Sequence, residues 1–195
     1  MFVTVRNKKV EIRKALAKDA LPYYSLLGEL RNDPQSFILV NYRKTMPDFH
    51  EIEKRSEEWN KYPRSMHFAV DPEVSGFVGT VIGPEYGPEI QPHIAELFYG
   101  VSSRYRHTGL IYAILYYALR DVDVKYLTAT AYTENYASVH VLESMGMKKI
   151  ARLEENDFNW ASGQFQDDYL FRGLRSVALE SLKNKLIQRN LANPE

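Results

Sequence analysis

Val101-Ser-Ser-Arg-Tyr-Arg-His-Thr-Gly-Leu-Ile111 runs directly into Tyr112-Ala-Ile-Leu-Tyr-Tyr-Ala-Leu119, and the reading of this stretch decides the fold. A strand ends at Val101, a basic polar turn follows, and a helix from about Gly109 to Arg120 begins that is apolar on every side. A helix without a polar stripe is packed inside its domain, so the turn in front of it is held rigidly. The N–H groups of its first turn have no partners within the helix, and the helix dipole adds positive potential there. Such a terminus suits phosphate or pyrophosphate. Arg104, Arg106 and His107 add charge around it, and Gly109 lets the backbone approach an anion closely. The plainer alternative is a strand-to-helix loop whose arginines are merely solvated.

Outward from this stretch, the chain alternates strands and helices. Val10 to Ala15 reads as a strand, and Asp19 caps a helix carrying Leu21, Tyr24, Leu27 and Leu30 at helical spacing. A loose region, Asn32 to Asp48, contains Phe37, Ile38 and Leu39 and precedes a charged helix, Asp48 to Lys61, with Phe49, Ile52 and Trp59 inward. Met66 to Val70 and Gly76 to Ile82 flank a Pro- and Gly-containing turn, which signals a hairpin. After a proline-rich loop, His93 to Val101 is the strand that enters the basic turn. Beyond the apolar helix come a strand at Lys125 to Ala131 and a short helix at Asn135 to Ser144, stopped by Gly146. Lys148 to Glu154 and Asp168 to Phe171 are the last strands, turning at Trp160 to Gly163. A final helix beyond Gly173 runs to about Leu191 with a stripe of Leu174, Val177, Leu182, Leu186 and Ile187. This order predicts an α+β fold: a mixed, mostly antiparallel sheet flanked by helices, in one domain over 1–195.

Composition narrows the function classes. Lysine plus arginine and aspartate plus glutamate number 25 each, so no global field draws the protein to polyanions, and nucleic acid is disfavoured as a partner. The absence of cysteine excludes disulfides, thiolate catalysis and cysteine-ligated zinc. His50 and His67 lack metal-ligand spacing, so no metal is expected. No stretch approaches the length of a membrane span and no charged leader precedes an apolar run, which reads as a soluble, cytoplasmic protein.

Several segments carry a resemblance to the GNAT acetyltransferases over about residues 9 to 172. Arg106-His-Thr-Gly109-Leu-Ile111 is similar to that family's Arg/Gln-x-x-Gly-x-Gly/Ala signature, with Ile111 departing at the last position. Asn135-Tyr-Ala-Ser138-Val-His-Val-Leu-Glu143-Ser-Met-Gly146-Met resembles the second signature of the branch that includes the ribosomal-protein N-terminal acetyltransferases. The opening Val10-Glu-Ile-Arg-Lys-Ala and the closing Gly163-Gln-Phe-Gln-Asp167-Asp-Tyr-Leu look like the same branch. The helix after Gly173 is an extension to the family core, and its stripe covers either this domain or a second copy.

The resemblance implies acetyl-CoA as donor and direct attack by a primary amine, without a covalent enzyme intermediate. Arg104, Arg106, His107, Thr108, Gly109, Leu110 and Ile111 are then the implied cofactor turn. The Val101 backbone is the implied partner of the pantetheine arm and a candidate oxyanion donor. Asn135 and Ser138 match cofactor-contacting positions, although capping explains Asn135 equally and Ser138 could simply face water. Many relatives carry a tyrosine acid where this chain has Leu142, so Ser138, then Tyr136, are the candidates to protonate the leaving thiolate. For the base, Glu96 is preferred and His93 held in reserve. Strand alternation puts His93, Ala95, Leu97 and Tyr99 on one face and Glu96 on the other. The acceptor is a protein N-terminus or a small amine. The alternative is a non-catalytic module that binds acetyl-CoA or a partner, suggested by Ile111 and Leu142.

Overall fold

The computed structural model describes residues 1–33, 35–36, 43–160 and 162–192. Phe37, Ile38 and Leu39 of the loose region, and Ala161 of the last turn, lie outside the described residues. Eight strands form one sheet, in chain order β1 (Phe2–Val5), β2 (Lys8–Lys14), β3 (Arg64–Val70), β4 (Val74–Ile82), β5 (Ile94–Val101), β6 (Tyr126–Tyr132), β7 (Lys148–Asn159) and β8 (Gln164–Leu174). Their spatial order is β1-β2-β3-β4-β5-β6-β8-β7, antiparallel everywhere except between β5 and β6. The helices are α1 (Ala20–Arg31), α2 (Phe49–Ser56), α3 (Leu110–Arg120), α4 (Tyr136–Ser144) and α5 (Arg175–Gln188). One core gathers α3, α4 and α5 on one face of the sheet, and a smaller core gathers α1 and α2 on the other. Among the described residues, no helix is long and apolar enough to cross a membrane, and no cluster of His, Asp or Glu could hold a metal ion.

Helix α3 is buried as its composition demands, with every residue from Tyr112 to Leu119 in the core. Strands β2, β3 and β4 cover one side of it and α5 the other. The α5 stripe therefore covers this chain: Ala178, Leu182 and Leu186 are fully buried against α3 and its neighbours. Val177 and Ile187, expected inward, are 44% and 47% exposed, because the contact narrows to a single row of the helix. Two left-handed glycines meet this helix. A Cβ on Gly146 (φ 80°) would lie 2.7 Å from Val177, and one on Gly109 (φ 85°) 2.9 Å from both Arg189 and Leu191. Any other residue at either position is strained by its backbone and crowded by α5.

Five expectations need correction. Strand β1 went unread; Val3 and Val5 alternate into the core, and Arg6 and Asn7 both take positive φ, as a two-residue hairpin turn requires. Asp19 does not cap α1: its carboxylate turns back to accept from the Leu16 N–H (2.8 Å) and from two Arg13 nitrogens (2.6 and 2.8 Å). In α1 the inward row is Tyr23, Leu26, Leu27 and Leu30, while Leu21 is 59% exposed. Helix α2 ends at Ser56, and Asn60 then braces the sheet by donating to the Ala15 carbonyl and accepting from the Met66 N–H. Strands β7 and β8 also run well past their expected ends, because their far halves are mostly polar, with only the cross-strand pair Phe158 and Phe165 apolar, and carry too little alternation to read.

If α5 packs on its own chain as described, Leu182→Ala should lower unfolding free energy by about 3 kcal/mol, while Ile187→Ala changes it by under about 1 kcal/mol. Urea denaturation of the two variants checks this; equal effects would contradict the docking.

Candidate functional site

Strands β5 and β6 are in register only at Ile94↔Tyr126, Ala95↔Leu127 and Glu96↔Thr128, and beyond these pairs they part. The direction of their backbone groups follows from the neighbouring bonds. Ser102 donates to Ser75 and Ile94 accepts from Gly83, so even-numbered groups of β5 point to β4. The N–H groups of Tyr99 and Val101 therefore point into the gap. On the other wall, Thr133 donates to Asp167 across the β8 side, which leaves the groups of Thr130 facing the gap from β6, while the Tyr132 carbonyl accepts from the Asn135 N–H (2.9 Å). Two facing strand edges that no longer bond to each other offer a slot in which an extended ligand can take up backbone hydrogen bonds.

The turn before α3 stands at the open end of this slot. His107 (φ 61°) and Gly109 (φ 85°) are both left-handed. The Thr108 hydroxyl donates to the Tyr105 carbonyl (2.7 Å) and accepts from the Leu110 N–H (3.2 Å), which pins the turn. Among the described residues nothing accepts from the N–H groups of His107, Gly109 and Ile111. Three free donors in a left-handed concavity at a helix start form an anion nest, which fits the phosphates of coenzyme A. Leu110 is fully buried and Ile111 packs half-buried on the core, so neither side chain is free at the turn. The Arg106 guanidinium stands beside Asp33 (2.5 Å) and Gln35 (3.2 Å) from the α1–α2 connection. Arg104 turns away from the nest to the β3–β4 turn, donating to the Asp71 carbonyl (2.5 Å) and the Ser75 hydroxyl (2.7 Å).

The helix α4 face of the gap holds Ser138. Asn135 caps α4, its side-chain oxygen accepting from the Ser138 N–H (3.1 Å). The Ser138 hydroxyl is 2.7 Å from the Tyr99 hydroxyl, a partner that sequence reading missed. Burial pushes the Tyr99 phenol well above its ordinary pKa, so it holds its proton. Tyr136 is 77% exposed at the start of α4 and does not join this pair.

Glu96 projects from the opposite face, the one covered by α1 and α2. Its neighbours in sequence, Ala95 and Leu97, point into the α3 core, while Phe98 packs with the α1–α2 cluster. Burial first, and the charge of Glu85 second, raise the Glu96 carboxyl above its usual range. Among the described residues it makes no hydrogen bond or ion pair. His93 lies before β5 at the closed end of the gap, exposed, with its ring edge against Tyr126. It is about 20 Å of strand from Tyr99, so it is not brought to the slot.

A second group of carboxylates shares the Glu96 face. Asp168 pairs in register with Tyr132 and is 2% exposed; Asn156 donates to it (2.8 Å), and the Tyr132 hydroxyl donates to neighbouring Asp157 (2.6 Å). Desolvation, with Asp157 and Asp167 nearby, raises Asp168 to about 6. The signal for it in the sequence was the Asp-led strand after Gly163, noted there without a role.

A family model for the acetyltransferase (GNAT) domain matches residues 9–148. No curated protein sequence matches the chain. Solved structures share the fold, among them a GNAT-family acetyltransferase from Streptococcus pneumoniae, with 21% identity and a TM-score of 0.70 over 85% of this chain and 99% of that one. A ribosomal-protein-alanine N-acetyltransferase from Brucella melitensis aligns with 20% identity and a TM-score of 0.72, covering 84% and 99%. A phosphinothricin acetyltransferase from Sinorhizobium meliloti, solved in complex with AcCoA, aligns with 15% identity and a TM-score of 0.71, covering 85% and 88%. With the signature turn, the parted strands and the α4 cap all in one fold, the chain belongs to the acetyltransferase (GNAT) family and is an acetyl-CoA-dependent acetyltransferase.

Proposed function

We propose that the protein acetylates a cationic primary amine, a protein N-terminus or a small amine, by direct attack on the thioester across the β5–β6 gap. The observation that carries this reading is the split of ionisable groups between the two faces of the gap. Glu96 stands on the α1–α2 face with no partner among the described residues, and the Ser138–Tyr99 hydroxyl pair stands on the α4 face. Acceptor and donor thus meet from opposite sides. Acetyl-CoA supplies the thioester; the turn from Arg106 to Ile111, with Asn135 and Val101, holds it.

Glu96 takes a proton from the acceptor ammonium, freeing the nitrogen lone pair to bond to the carbonyl carbon. The Tyr99 and Val101 N–H groups are the candidate donors to the carbonyl oxygen as it gains negative charge. As the carbon–sulfur bond breaks, the Ser138 hydroxyl gives its proton to the departing sulfur and is restored by the second proton lost from the attacking nitrogen, while Tyr99 keeps its own proton and orients Ser138 through their hydrogen bond. The products are an amide and the free thiol. Asp168, Asp157 and Glu85 add negative charge on the acceptor face, which favours an amine that arrives protonated.

Turnover is tested by following thiol release with acetyl-CoA and two acceptor panels, short peptides with free N-termini and small polyamines. Glu96→Gln should lower kcat/KM roughly 100-fold or more. A base must be deprotonated, and the Glu96 pKa is raised, so wild-type activity should rise with pH along a limb above the ordinary carboxylate range; the variant should lose that limb. Activity within threefold of wild type would remove Glu96 from the role.

Ser138→Ala should reduce kcat by roughly 100-fold while the acetyl-CoA affinity changes little. An equal loss in affinity would make Ser138 a binding residue instead.

Asp168 has a folded pKa above its unfolded value, so its ionisation opposes folding as pH rises through about 6. Asp168→Asn should therefore raise the melting temperature more at about pH 8 than at about pH 4, and raise KM for cationic acceptors. Unchanged KM would confine Asp168 to a structural role.

A further inference from the structure

The nest before α3 needs cations, and the two arginines expected to supply them have other partners. Arg104 is bound to the β3–β4 turn, and Arg106 is neutralised by Asp33. The helix dipole alone contributes only about half a positive charge at the nest. A pyrophosphate diester carries two negative charges, and coenzyme A bears a further phosphate.

Two other cations converge on this place, and both come from the far end of the chain. Lys185 Nζ lies 5.0 Å and the Arg189 guanidinium 5.5 Å from the ring of Tyr112, in the first turn of α3. Lys185 lies in the last turn of α5 and Arg189, four residues on, is the residue that caps the helix, so the two share one side of it. Arg189 also fills the space over the nest: its Cδ is 2.9 Å and its Nε 3.5 Å from where a Cβ on Gly109 would stand. Among the described residues neither cation is paired with a carboxylate. Leu191 holds the end of α5 in position, its carbonyl accepting from the Thr4 N–H of β1 (3.0 Å). A favourable position for cations at a helix C-terminus accounts for basic residues on the last turn of α5. It does not account for both of them meeting one tyrosine beside three free N–H groups.

We propose that Lys185 and Arg189 of the C-terminal helix bind a phosphate group of acetyl-CoA and complete the cofactor site from outside the matched family region, which ends at residue 148. This rests on the cofactor reading of the nest. In this arrangement α5 has two functions in one helix: its buried row encloses α3, and its last turn brings charge to the donor. Arg189, with a planar fork of donors, suits two phosphate oxygens at once, and Lys185 acts as a point charge behind it.

The test is isothermal titration of acetyl-CoA into the full chain. Lys185→Met and Arg189→Gln retain most of each stem over Tyr112 while removing the charge. Each single variant should weaken binding by about threefold to tenfold, and the double variant by about 10-fold to 100-fold, with the loss shrinking at high salt. Lys183→Met, on another side of α5, should bind as wild type does, and the unliganded melting temperatures of all variants should stay near that of wild type. Repeating the titration with 3′-dephospho-CoA separates the sources. A penalty that persists assigns the contact to the pyrophosphate, and one that vanishes assigns it to the 3′-phosphate. Wild-type binding with a double variant within twofold of it would overturn the role of α5 alone. No binding of acetyl-CoA by wild type would overturn the cofactor reading beneath it.

Discussion

The burial of α3 is the constraint on which the rest of the structure depends. From Tyr112 to Leu119 every side chain is in the core, so the helix has no side it can leave to water. Strands β2 to β4 enclose part of it, and the remaining surface requires another apolar element. Helix α5 meets that requirement, antiparallel to α3, with Arg175 donating to the Leu119 carbonyl (2.8 Å) at one end and Leu191 packing at Gly109 at the other. The hydrophobic requirement of one helix thus determines where α5 must lie. It also fixes the start of α3 in space, and with it the free N–H groups of the turn.

The second organising feature is a failure of pairing. Three register pairs join β5 to β6, after which the strands separate and no longer bond to each other. Unpaired backbone is costly when buried and is tolerated where a ligand or water can reach it. Different side chains flank the gap on its two sides. On one side the Tyr99–Ser138 hydroxyl pair bridges β5 to α4; on the other, Tyr132 reaches to β7 through Asp157. Glu29 adds a further tie, its carboxylate accepting from the Ser102 and Ser103 hydroxyls and the Ser103 N–H, which fastens α1 to the segment leading into the turn.

Much of this was legible in the chain. The helix at Gly109 to Arg120, the hairpin of β3 and β4, the α4 cap at Asn135 and the left-handed Gly146 follow from local rules of periodicity and capping, and the structure has each of them. Where reading failed, the local pattern was silent or shared. Asp19 has the residue type of a helix cap but found a stronger partner in Arg13, from a strand that sequence spacing does not relate to it. The outer halves of β7 and β8 are mostly polar, with Phe158 and Phe165 as isolated apolar positions, so too little alternation marks them. Arg104 and Arg106 have the right charge in the right turn, yet their directions are set by Asp71, Ser75 and Asp33 from other segments.

What the sequence determined by itself is therefore whatever depends on neighbours a few residues apart: the elements, their caps, the family signature and the alternation that separates Glu96 from its strand neighbours. Which side chains meet was decided only by the tertiary structure. Ser138 and Tyr99 are 39 residues apart in the chain, and their contact exists because β5 and α4 flank the same gap. Arg189 reaches Gly109 because α3 must be covered and α5 is the element that covers it. Short-range geometry is written in residue order, whereas the meeting of distant groups results from packing apolar surface, which acts without regard to order along the chain.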